Sequence, residues 1–172
     1  MRGAPHNASM PPLRCVIDIE ASGFGRGSYP IEVGWVLADG SARCCLVRPA
    51  PHWTHWDESA ARVHGITRAA LRAHGQAARR VAERLNAELA GGVAYCDGWA
   101  HDYPWLAALF EEAELAPAFR LEAAARLLDT AALERLAAAR EAARAELGVQ
   151  RHRASNDARA LQRALQRLES RA

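Results

Sequence analysis

The sequence predicts a single α/β domain: a mixed β-sheet, antiparallel where a hairpin builds it and parallel elsewhere, flanked by helices. Three observations predict it. The run CVIDIEASGF is apolar on both faces apart from two acids, as a central strand covered on both sides would be. The runs PIEVGWVLADG and SARCCLVRP meet at Ala38-Asp39-Gly40, a turn that reads as a hairpin. Beyond them helical segments alternate with a short apolar strand, so the order βββα followed by βα units indicates a mixed sheet with helices on its faces. A chain of 172 residues, half of them hydrophobic, fits one domain with a substantial core and excludes a disordered chain.

Taken in order, residues 1–12 (MRGAPHNASMPP) read as a flexible leader with Met10 a candidate start, and the domain runs from 13 to 172. Leu13, Cys15, Val16, Ile17 and Ile19 form the first strand, which a Gly-rich turn (Gly23, Gly25, Gly27) ends. The two hairpin strands follow. Segment 52–66 contains a short helix, and 76–90 an amphipathic one stopped by Gly91-Gly92. Val93–Cys96 is a short strand, Asp97-Gly98 a turn, and a helix is expected from about Tyr103 to Glu114 with Trp105, Leu106, Leu109 and Phe110 inward. Segment 119–147 supports two readings. Its alanines predict helix throughout, whereas Leu127-Leu128-Asp129-Thr130 predicts a strand end followed by an N-cap. The last helix, about Asn156 to Leu168, buries Ala158, Leu161, Leu165 and Leu168 along one stripe.

The formal charge of +2 does not point to a polyanion partner by itself. All 22 basic residues are Arg, beside abundant Ala, a composition that a GC-rich genome produces without selection for phosphate contacts. The four cysteines (Cys15, Cys44, Cys45, Cys96) lack C-x-x-C spacing and read as reduced thiols of a cytoplasmic protein. No segment approaches the length of a membrane span, and residues 1–12 lack the apolar core of a signal peptide. The expectation is a soluble, cytoplasmic chain.

Chemistry is concentrated in the acids. Side chains alternate across a strand, so Asp18 and Glu20 project to the same side, about 7 Å apart. Two carboxylates there are costly unless a cation neutralises them, and hard oxygen donors suit Mg²⁺ or Mn²⁺. Asp102 precedes Pro104 by two residues at the start of a helix. Asp157 lies in the first turn of the final helix, five residues after His152. A helix N-terminus favours ionised carboxylates.

The order of D-x-E, a helix-opening D and H-x(4)-D resembles the DEDDh-type 3′-to-5′ exonucleases, nucleases of the ribonuclease H-like fold. The resemblance covers roughly residues 13–168, and PIEVGWV and RVHGITRAAL match strands and an HGI segment that the family carries. It implies that Asp18, Glu20, Asp102 and Asp157 hold two divalent metals, Mg²⁺ or Mn²⁺, and that His152 is the general base. It also implies that Ala21, Ser22, Gly23, Phe24, His64 and Ile66 receive the 3′-terminal nucleotide. Ribonuclease T-like members are similar in having an aromatic where Phe24 stands, and an aromatic there stacks on a base. The sequence departs from the family's Thr-Thr-Gly with Ala21-Ser22-Gly23. An acid, Asp97, stands where many members have Asn, so Asp97 competes with Asp102; the Tyr103-Pro104-Trp105-Leu106 run favours Asp102.

The activity so implied is metal-dependent hydrolysis at single-stranded DNA or RNA 3′ ends, releasing nucleoside monophosphates. Two alternatives accompany it: a catalytically weak nucleic-acid-binding module on the same fold, and a small dinucleotide phosphodiesterase. Trp53, Trp56 and Trp99 are either further base platforms or local packing, and the Ala/Leu/Arg stretch 121–147 offers a surface for a homodimer.

Overall fold

Cys15–Ala21 forms β1, the middle strand of a five-stranded sheet. A computed structural model of the protein describes residues 12–170. The expected leader and Met10 therefore lie outside the described residues, except for Pro12. Pro30–Val36 (β2) and Ala42–Leu46 (β3) make the antiparallel hairpin, while Val93–Cys96 (β4) and Arg120–Ala123 (β5) run parallel to β1. The order across the sheet is β3-β2-β1-β4-β5, the mixed ribonuclease H-like sheet that the sequence predicts.

Both faces of the sheet are covered. On one side Ile17 and Ile19 of β1 and Ile31, Val33 and Trp35 of β2 pack against helices α2 (Arg68–His74), α3 (Ala78–Leu89) and α4 (Trp99–Glu112). On the other side Val16 and Val36 meet α5 (Thr130–Leu147) and α6 (Ala154–Glu169), with Leu136, Leu161, Leu165 and Leu168 filling the layer. All seven residues of β2 are buried, charged Glu32 included. Gly34 is required where α6 crosses β2: a Cβ there would lie 2.1 Å from the backbone nitrogen of Ser155.

Several boundaries differ from the sequence reading, each for a local reason. The sequence reading starts α4 at about Tyr103, after a turn at Asp97-Gly98. The helix begins at Trp99, directly after Gly98, and takes Pro104 inside. The strand expected near Leu127-Leu128 lies earlier, at Arg120–Ala123, and a 3-10 turn (Ala124–Leu127) follows it. The N-cap is where it was expected, with Asp129 accepting from the amide of Ala132 at 2.7 Å. Segment 52–74 holds two short helices, α1 (Glu58–His64) and α2, separated by Gly65 in the left-handed conformation. The last helix starts at Ala154, two residues before Asn156.

Candidate active site

Positions 16, 18 and 20 share a face of β1, so the packing of Val16 against α6 points Asp18 and Glu20 toward the start of that helix. Asp157, in the first turn of α6, meets them. One carboxylate oxygen of each of the three lies within 4.8 Å of the other two. Asp102, buried in the first turn of α4, stands beside this group rather than in it. Its charge bears directly on Asp18.

The cluster is electrostatically strained without a counter-ion. Burial, then the charges of Asp102, Asp157 and Glu20, hold the Asp18 carboxyl well above the usual carboxylate range, and Arg140 opposes them. Glu20 is pushed up to about 7, by burial first and then by Asp157, Glu32 and Asp102. Burial also raises Asp102 to about 7, against hydrogen bonds from Cys96 and from the backbone of Ile19 and Gly98. Asp18 and Glu20, which resist ionisation, converge with Asp157 in a donor set that a hard divalent cation relieves. Residues and cation therefore fit.

Two arginines one turn apart on α5 provide the cluster's fixed positive charge. Arg144, buried, donates to Oδ1 of Asp157 through Nε (3.0 Å) and Nη2 (2.5 Å). Arg140 pairs with Asp97. Asp97 lines the same cleft as Asp18 and Asp102, and Asp102 is the acid whose charge bears on Asp18. Asp157 is held from a second side by the backbone amide of His152, which donates to Oδ2 at 2.6 Å. His152 itself has a φ of +59°, one of two non-glycine residues in the left-handed region among those described.

Next to the acids lies a pocket of about 280 Å³ whose lining includes Glu20, Ala21, Gly23, Phe24, His64, Trp105 and His152, together with Val63 and Asp57. Phe24 is 66% exposed. Its ring meets His101 edge-on at 5.0 Å and Trp105 at 5.9 Å. Trp105, expected to face the core, rests partly on it and presents its other side to the cleft, anchored by Nε1 donating to Ser28 Oγ at 2.9 Å. His64 is buried, with Nδ1 accepting from the amide of Ile66 at 3.0 Å and Nε2 without a partner. Burial lowers its imidazole below the usual histidine value.

The structure thus brings together Asp18, Glu20, Asp157 and His152, with Asp102 adjoining, and sets Ala21, Gly23, Phe24 and His64 around one pocket. Ser22 and Ile66 stand behind its wall. The Ser22 hydroxyl is taken up by the amide of Tyr29 (3.1 Å) and the ring of His55 (3.0 Å), and Ile66 packs in the core. Trp53 stacks on Tyr29 at 5.1 Å, which is local packing, whereas Trp99 is exposed and stacks on Tyr103. Sequence reasoning missed Arg140, Arg144, His101 and the Glu32–Arg153 pair. A signal existed for three of these residues: Arg140 and Arg144 are four apart in a helix, and Glu32 is a lone acid in an otherwise apolar strand.

No protein-family model matches the sequence, and no curated protein matches it. Solved structures do. The chain shares its fold with E. coli exonuclease I in complex with a dA16 oligonucleotide, at 14% identity and a TM-score of 0.66 over 94% of this chain. A second exonuclease I structure, described as suggesting how processivity is achieved, superposes with a TM-score of 0.69 at 15% identity. Exonuclease I from Methylocaldum szegediense gives 0.62 at 15% identity over 87% of the chain. The alignment spans 38% to 42% of those proteins' own lengths.

Proposed function

We propose that the chain is a metal-dependent 3′-to-5′ exonuclease acting on single-stranded DNA. The observation that carries this reading is the convergence of Asp18, Glu20 and Asp157 within 4.8 Å, beside a pocket sized and lined for one nucleotide. The shared fold with exonuclease I bound to an oligonucleotide supports it.

Asp18, Glu20 and Asp157, with Asp102 beside Asp18, would hold Mg²⁺ or Mn²⁺. Divalent metal at such a site neutralises the scissile phosphate and makes water nucleophilic at neutral pH. The remaining work falls to the chain's own groups. Phe24, supported by His101 and Trp105, stacks on the terminal base. His64 lines the pocket beside Ala21 and Gly23. His152, which lines both the pocket and the acid cleft, takes the proton of the attacking water, the histidine role near neutral pH. Val63 and Asp57 complete the pocket's lining, and a pocket of one nucleotide's size would admit a chain end and not a continuing strand.

The test is digestion of 5′-labelled single-stranded DNA and RNA with Mg²⁺ or Mn²⁺ and with a chelator. Stepwise shortening that the chelator abolishes supports the proposal. Digestion of RNA alone, or of dinucleotides alone, overturns the substrate assignment, and binding without cleavage overturns the enzyme.

A further inference from the structure

His152 sits in a conformation that a non-glycine residue rarely adopts, with φ at +59°. Such a backbone persists only where its surroundings hold it, and it costs on the order of 1–3 kcal/mol. On its N-terminal side the holding group is Asp157, through the His152 amide. On its C-terminal side the next two residues are tied to Glu32. Arg153 donates to Oε1 of Glu32 through Nε (3.1 Å) and Nη2 (2.6 Å), and the amide of Ala154 donates to Oε2 at 2.8 Å. Glu32 is fully buried.

Its place in the sheet makes that use of a carboxylate unexpected. Glu32 pairs directly with Glu20 across β1 and β2 and points to the same face, so it is a fifth acid at the edge of the acid cluster. Arg153 and the Ala154 amide take up its oxygens. No side chain of α6's own N-cap, Arg153, caps the helix; the capping acceptor comes from β2. Gly34, two residues along β2, lets the 154–155 backbone lie directly on the strand. The loop carrying His152 is therefore clamped to the strand neighbouring β1.

We propose that Glu32 is a positioning residue: with Arg153 it holds His152 at the site, and it is not a metal ligand. The proposal rests on the exonuclease reading for its kinetic consequence, though not for the clamp itself.

The experiment compares Glu32→Gln and Arg153→Met in the wild-type and His152→Ala backgrounds. Glu32→Gln keeps the side chain's shape and removes its charge. Arg153 is 48% exposed at its side chain, so Arg153→Met remains informative if the first variant fails to fold. Three quantities are read: hydrogen exchange at the His152 amide, turnover of a single-stranded oligonucleotide, and Mn²⁺ binding by calorimetry. Either variant should speed exchange at His152, whose amide does not bond to Glu32. kcat should fall about 10–100-fold, the usual effect of losing a supporting residue, with KM and Mn²⁺ affinity nearly unchanged. In the His152→Ala background the further loss should be roughly twofold or less, because residues acting through one group are non-additive. Equal losses in both backgrounds, unchanged exchange at His152, or a parallel loss of Mn²⁺ affinity would each overturn the proposal. If the wild-type chain shortens no strand, the exonuclease reading fails, and exchange alone then keeps or overturns the clamp.

Discussion

Asp18→Asn should make the metal-free protein more stable at pH 8 while abolishing its response to metal. The replacement has nearly the same shape and removes one charge from the centre of the acid cluster. Glu20 is raised from 4.5 to about 7, which corresponds to about 3 kcal/mol of unfavourable ionisation in the folded chain. Burial leads that shift, followed by Asp157, Glu32 and Asp102, and Glu20 in turn raises Asp18. Relief by one substitution is therefore about 1–3 kcal/mol, or roughly 3–10 °C in Tm for a chain of this size. The sign with pH follows from the direction of the shift. A carboxyl raised by folding holds its proton more tightly in the folded state, so its contribution is fully present below about 4.5 and is lost as pH rises to about 7. The gain from Asp18→Asn should thus be large at pH 8 and close to zero at pH 4.5. Mn²⁺ at about 100 times its dissociation constant should stabilise the wild type by about 2.7 kcal/mol and the variant hardly at all. Thermal unfolding at both pH values, with chelator and with Mn²⁺, measures all four corners. A lower Tm for metal-free Asp18→Asn at pH 8, or a Mn²⁺ shift equal to that of the wild type, would refute the account of the cluster.

Other outcomes follow from the same geometry. His152→Ala should lower turnover by roughly 10²–10⁴-fold, the usual worth of a general base, with Mn²⁺ binding retained; calorimetry and single-turnover assays separate the two. Phe24→Ala should weaken 3′-end binding by about 1–3 kcal/mol whichever base is terminal. Because Phe24 is 66% exposed, Tm should hardly move, and a drop of core-truncation size in a melting curve would count against stacking as its job. Circular single strands and strands ending in a 3′-phosphate should resist digestion, and gel analysis showing rapid cutting of circles would indicate an endonuclease.

Much of this site is legible in the chain because its signals are local. Period-two alternation places Asp18 and Glu20 on one side of a strand, and the spacing from His152 to Asp157 ties both residues to the start of one helix. Amphipathic periodicity marks α3 and α6 within a residue or two of their ends. Boundaries slipped where local signals were weak or competed, as at the start of α4, which follows Gly98 directly, and at β5, where Ala-rich propensity favours helix.

What only the tertiary structure decided depends on contacts between distant residues. Glu32 and Arg153 are 121 positions apart, and nothing near either one shows that a buried acid beside Glu20 serves as a helix cap. By sequence Asp97 competes with Asp102, which the following run favours, and nothing near Asp97 shows that α5 brings Arg140 to it. The Ser22 hydroxyl is as short and polar as a pocket residue needs, yet the amide of Tyr29 and the ring of His55 use it up. Periodicity determines which way a side chain points along its own element. Which charge it meets there is set by the packing of sheet against helix, because electrostatic and hydrogen-bond partners are chosen by distance in space.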